Sequence, residues 1–284
     1  MMIRSLRNIS LITLVSAGVL LFQACDEVDD YYEDNVSFNP ERKVLVEDYT
    51  GHKCGNCPRA TRSVYDLKSI YGDNLIIIGV HAGFFATPNP PQAPSYKYDF
   101  RNTVSTELDT DFGISLVGNP NGMVNRRKNT DGSHVFAYTS WADEAAKVLF
   151  DFSTVPASIS IENTYEDASR SLTTKVNTQI NADLPSTYRL SVYLVEDHIT
   201  NWQKDYDVSP SDIPDYDHRE VLRGSLNGTY GDAINAITEG SVNSNSYNIT
   251  VDQEFEATNC YIIAFMYDEA TKEIIEVEQT KVIP

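Results

Sequence analysis

Two cysteines separated by two residues, Cys54-Gly55-Asn56-Cys57, stand where a short apolar run gives way to helical spacing, and this arrangement constrains the fold more than any other feature of the chain. Val44-Leu45-Val46 reads as a short buried strand, with 47–51 leading to the cysteines. Ala60, Val64, Leu67 and Tyr71 follow at i, i+4, i+7 and i+11, the apolar face of a helix. Pro58 falls in its first turn, where a missing N–H costs nothing. Gly72-Asp73 stops the helix, and the β-branched run 75–80 suits a strand covered on both faces. The spacing therefore predicts a parallel βαβ unit with the cysteines at the start of its helix.

That position has chemical consequences. Free N–H groups and the helix dipole favour an anion at a helix start, so the outer thiol, Cys54, becomes the nucleophile. Cys57 is placed to attack a mixed disulfide formed by Cys54. His52, Lys53 and Arg59 flank the motif and should lower the thiolate pKa further. The cysteine motif resembles that of thioredoxin-fold proteins, and the resemblance extends over 43–152. It implies a proline opposite the cysteines, usually cis, and Pro120 at the end of 112–120 matches that segment. Met123 to Arg127 and Ser133 to Phe136 flank Asn129-Thr130-Asp131-Gly132 as a hairpin, and a closing helix follows with Ser140 as cap and Trp141, Ala145 and Val148 on one face. Thioredoxin also has a buried acid six residues before its first cysteine. Asp48 has that spacing and Glu47 lies beside it, so on a strand only one of them can serve.

Between these elements the chain departs from that pattern. Pro88, Pro90, Pro91 and Pro94 make 82–111 an exposed insertion of extended segments. His81, at the end of the second strand, is a structural histidine or faces the cysteines. Taken together, 44–49, Thr50-Gly51-x-x-Cys54-x-x-Cys57-Pro58, Gly79-Val80-His81-x-Gly83 and Pro120-x-Gly122-x-Val124-Asn125-Arg126 resemble the outer membrane protein 28 related family of Gram-negative lipoproteins. A zinc centre is disfavoured, because one Cys-x-x-Cys without a second pair or a His-x(3 to 5)-His supplies too few ligands. No cofactor is expected.

The amino terminus has a basic stretch with Arg4 and Arg7, then an apolar run from Ile9 to Phe22. This reads as a signal peptide, 1–24, and Phe22-Gln23-Ala24-Cys25 resembles a lipoprotein site with Cys25 as the lipidated residue. The acidic stretch 25–42 reads as a tether, with six acids in its first ten residues after Cys25 and an expected role in surface display. Loss of 1–24 removes two arginines and no acid, leaving 20 basic against 41 acidic side chains and a net charge of −21. Such a field repels phosphate backbones, so nucleic acid is excluded as a partner. The expected location is the outer membrane of the cell envelope.

Phe152-Ser153-Thr154-Val155-Pro156 reads as a boundary, beyond which helical spacing stops and alternation takes over. Leu172, Thr174, Val176, Thr178 and Ile180, and then Tyr188, Leu190, Val192 and Leu194, recur every two residues. About seven such strands over 156–284 predict an all-β immunoglobulin-like sandwich following the α/β thioredoxin-like domain. Cys260 reads as a core thiol, and 197–217, rich in acids and aromatics with Pro210 and Pro214, as a long loop that is either solvated or binding. Two functions fit. The first is thiol–disulfide exchange with extracytoplasmic protein thiols or disulfides, with Cys54, Cys57, Pro120 and Asp48 as its residues. The second is a non-enzymatic envelope lipoprotein whose Cys54–Cys57 disulfide is a permanent staple.

Overall fold

A computed structural model describes residues 38–283. The signal peptide, Cys25 and most of the tether lie outside the described residues. Strands β1 (Val44–Thr50) and β2 (Leu75–His81) are buried at every position and run parallel, from Val44 opposite Leu75 to Thr50 opposite His81. They are joined by α1 (Cys57–Tyr71), which buries Ala60, Val64 and Leu67 and ends at Gly72 with φ of 54°. The expected insertion holds a helix, α2 (Thr103–Phe112), because the prolines stop at Pro94 and Asn102 forms a reciprocal cap with Ser105. A single turn, α3 (Ile114–Val117), precedes the cis Asn119–Pro120 bond and β3 (Asn121–Val124), which pairs antiparallel with β1.

The hairpin is wider than expected: β3 ends at Val124, and its partner β4 (Phe136–Ala137) begins only at the last residue of the expected second arm. Asn125 and Arg126 take positive φ, 45° and 49°, and leave the ladder. The Asn125 side chain then accepts the Leu45 N–H at 2.7 Å, and Arg126 turns inward. Helix α4 (Trp141–Leu149) buries Trp141, Ala145 and Val148 as expected, but the Ser140 side chain makes no cap bond, since the chain enters through a 3-10 turn. Gly122 has no room for a side chain. An added Cβ would press on the Glu47 carbonyl and stand 2.6 Å from Trp141 Cζ2. Gly122→Ala is expected to lower the urea unfolding midpoint by an amount equivalent to about 1–3 kcal/mol.

The second half contributes β5 (Ala157–Glu166), β6 (Ser171–Ile180), β7 (Tyr188–Glu196), β8 (Ile199–Lys204), β9 (Asp212–His218), β10 (Val221–Ser225), β11 (Asp232–Ile234), β12 (Val242–Thr250), β13 (Cys260–Asp268) and β14 (Ile274–Lys281). Alternation along β7 and β13 is clear. Leu190, Val192, Leu194, Ile262, Ala264 and Met266 pack against a three-stranded layer, β12-β6-β5, through Leu172, Val176 and Ile180. Their other face, with Tyr193, Val195, Ile263 and Phe265, packs with Leu45, Ile76, Ile78 and Leu108. The boundary expected over 152–156 falls between α4 and β5, yet the two halves share one core and one nine-stranded sheet, ordered β14-β13-β7-β10-β2-β1-β3-β4 with β11 beside β7.

The sheet crosses between halves at β10–β2, where Gly79 N–H donates to Glu220 O at 2.7 Å. A Cβ on Gly79 would lie 3.1 Å from Arg219 O, so glycine permits the approach. Arg126 fastens the junction. Its guanidinium is 1% exposed, makes two bonds to Glu47 at 2.7 and 2.8 Å, and lies 4.8 Å above the Phe265 ring.

Candidate functional site

The loop 51–56 leaves the carboxyl end of β1, and α1 opens at its second cysteine. Cys54 and Cys57 form a disulfide with Cα atoms 5.4 Å apart. The loop holds its own shape: Cys54 N–H donates to Gly51 O at 2.8 Å, and Cys57 N–H to Cys54 O at 3.2 Å. Exposure decides what this disulfide can do, and it is 2% for Cys54 and 1% for Cys57.

The cover comes from 197–217, which is an ordered arm and not the loop expected from its composition. Strands β8 and β9 pair with each other as a separate two-stranded sheet. Proline is tolerated in β9 because one side of that strand carries no ladder. Lys204 N–H donates to His52 O and Tyr206 N–H to Gly55 O, each at 2.8 Å, and Gln203 Nε2 donates to Cys54 O at 3.1 Å. The Tyr206 ring lies over Gly55 so closely that a Cβ there would stand 2.5 Å from it. Arg59 pairs with Asp207 at 2.5 Å, and Arg62 with Asp205 at 2.8 Å. Arg59 therefore answers an acid of the arm, and the expected positive island beside Cys54 is largely neutralised.

Beside the first turns of α1 lies a cavity of about 30 Å³ lined by Asp48, Thr61, Tyr65, His81, Tyr216, His218 and Glu220. It has room for about two waters and none for a substrate. Glu47 and Asp48 face opposite ways as strand geometry requires, Glu47 to Arg126 and Asp48 to this cavity. Burial pushes the Asp48 carboxyl up to about 7 and Glu220 up to about 8, and the Tyr65 hydroxyl donates to Glu220. The Asp48 Oδ1 atom has no partner.

His81 joins a buried aromatic stack. Phe100 lies 4.4 Å from His81 and 4.5 Å from His218, and His52 lies 5.5 Å from Tyr96. Burial lowers His52 to about 4 and His218 to about 3, and holds His81 well below the usual imidazole range. Pro120 precedes Asn121, which pairs with Tyr49, so the proline stands at the same end of β1 as the cysteines. Cys260 is fully buried against the three-stranded layer, and burial pushes its thiol up to about 12. Among the described residues no group of three or more His, Cys, Asp or Glu is arranged to hold a metal ion.

The arm, His218 and Glu220 carry no sequence motif, and the pattern that ends at Arg126 gives no sign that its side chain turns inward. A weaker signal existed in Ile199, Ile213 and Tyr216, strand-forming residues scattered among the acids of the arm. On two adjoining turns near the cysteine loop, Phe84, Leu116 and Val117 are 79%, 88% and 67% exposed.

Comparison with known proteins places these features in a family. The family model described as outer membrane protein Omp28 matches residues 107–284. HBP35 of Porphyromonas gingivalis shares the fold with a TM-score of 0.64 at 18% identity, over 87% of this chain and 77% of that one. A domain of the outer membrane lipoprotein Omp28 from Porphyromonas gingivalis aligns at 23% identity and a TM-score of 0.33, over 45% of this chain and 95% of that one. No curated protein sequence matches. The matched segment is well over half of the chain and contains the arm that closes over the disulfide, and the chain belongs to the Omp28 family of outer membrane proteins of the cell envelope.

Proposed function

We propose that this chain is a non-enzymatic binding lipoprotein of the outer membrane, anchored through Cys25 and displayed on its acidic tether, in which the Cys54–Cys57 disulfide is a fixed staple. The observation that carries this reading is the burial of both cysteines beneath the β8–β9 arm. A disulfide that exchanges with proteins must present one sulfur to an incoming thiolate, and a buried one does not. The staple instead fixes the carbonyls of a loop to which other chain segments bond. Exposed Phe84, Leu116 and Val117 add an apolar surface of the kind that marks interaction sites.

A thioredoxin-like origin for 43–152 and a sandwich-like one for 156–284 are consistent with the element order and with the alternation in β7 and β13. Thiol–disulfide exchange is the second reading, favoured by Asp48, whose raised carboxyl lies beside the cysteine helix. Insulin reduction by dithiothreitol separates the two. A staple predicts equal rates with the wild-type chain and with Cys54→Ser. Acceleration that disappears in Cys54→Ser would overturn the proposal in favour of exchange.

A further inference from the structure

The arm does more than cover the disulfide; its backbone and its acids both bond to the cysteine loop and the helix that follows. Along 203–207, where β8 ends at Lys204 and the chain turns through Asp205, whose side chain accepts the Asp207 N–H at 2.9 Å, backbone and side-chain contacts alternate. The N–H groups of Lys204 and Tyr206 reach the carbonyls of His52 and Gly55, while the side chains of Asp205 and Asp207 reach Arg62 and Arg59. We propose that the carbonyl edge of the cysteine loop, with Arg59 and Arg62 beside it, is a docking site for an acidic peptide of a partner protein, and that 203–207 fills it in cis. The inference rests on the staple reading, in which the disulfide keeps His52, Cys54 and Gly55 carbonyls preformed for an incoming peptide.

Three observations make the occupant replaceable. The contact is polar, since Gln203 and Asp205 are its buried side chains and Tyr206 remains 60% exposed. An equally polar peptide can replace it with little loss of apolar burial. Its outer ion pairs are open to solvent, with Arg59, Arg62 and Asp207 between 38% and 50% exposed, so they hold the arm weakly. Both stems of the arm also carry non-glycine residues in the left-handed region, His198 at 59° and Glu220 at 45°. Such positions store strain that a swing of the arm can release. The partner must be acidic, because in a chain of net charge −19 the two arginines answer acids supplied only by the arm.

The test uses the full-length chain and a fluorescein-labelled peptide, Trp-Gln-Lys-Asp-Tyr-Asp-Val, copied from 202–208, with binding read by anisotropy. Asp205→Asn/Asp207→Asn, which loosens the arm, is expected to bind the peptide at least about tenfold tighter than wild type. Adding Arg59→Ala/Arg62→Ala should abolish that gain. Tyr206→Pro, which removes one backbone donor and keeps both acids, provides a second loosened variant should the first fold poorly. Equal affinity in wild type and both loosened variants, or binding that survives loss of both arginines, would overturn the docking site. The disulfide is monitored in parallel by mass under non-reducing conditions in dithiothreitol. Its reduction in the wild type counts against the staple reading and leaves the peptide result to stand alone.

Discussion

Arg126→Met is expected to destabilise the protein by about 3–5 kcal/mol, a large fraction of the stability of an ordinary domain. Arg126 and Glu47 are each 1% exposed or less, and their two bonds of 2.7 and 2.8 Å satisfy both charges where water cannot. Removing the guanidinium leaves the Glu47 carboxylate buried without a partner, and that unpaired charge accounts for most of the loss. The site is also where the two halves meet, since Arg126 contacts Phe112 from one and Phe265 and Tyr267 from the other. Urea unfolding at pH 7 measures the effect. The double variant Glu47→Leu/Arg126→Met, which removes both charges, should recover most of the lost stability, because a buried pair can be replaced by apolar side chains of similar volume at little cost.

The second large effect depends on pH. Asp48 has a folded-state pKa of about 7 against 3.8 for an ordinary aspartate, with burial as the leading cause. A raised pKa means that the folded state prefers the protonated carboxyl. The associated stability is fully present below pH 3.8 and is lost as pH rises through 7. At about 1.4 kcal/mol per unit the loss reaches about 4 kcal/mol, and Asp48→Asn, which cannot ionise, avoids it. Relative to wild type the variant should therefore gain about 4 kcal/mol between pH 4 and pH 8, read from paired urea titrations. Glu220 and Glu276, both raised to about 8 by burial, and the lowered His52, His81 and His218 titrate in both proteins. The difference between the two curves thus isolates Asp48.

Much of the first half was legible because its signals are local. The period of Ala60, Val64 and Leu67, the stop at Gly72 and the apolar run of β2 each depend on neighbours in sequence, and each element formed where the pattern placed it. Alternation likewise disclosed β6 and β7. What could not be read was long-range. Arg126 looked like a hairpin residue, and only a positive φ and a carboxylate 79 positions away turn it inward. Acids and prolines in 197–217 resembled a loop, solvated or binding, although Asp205 and Asp207 are answered by Arg62 and Arg59 on a helix read as a separate unit. The cysteine motif was found at once. Its accessibility was not, because exposure belongs to the arm that folds over it.

That accessibility is tested most directly by the reduction potential of Cys54 and Cys57. The oxidised full-length chain is equilibrated in dithiothreitol buffers of graded potential, free thiols are alkylated, and the peptide carrying both cysteines is weighed. A buried staple stays oxidised at about −300 mV, whereas a pair half reduced at about −270 mV or above would behave as an exchange-active disulfide and contradict the staple.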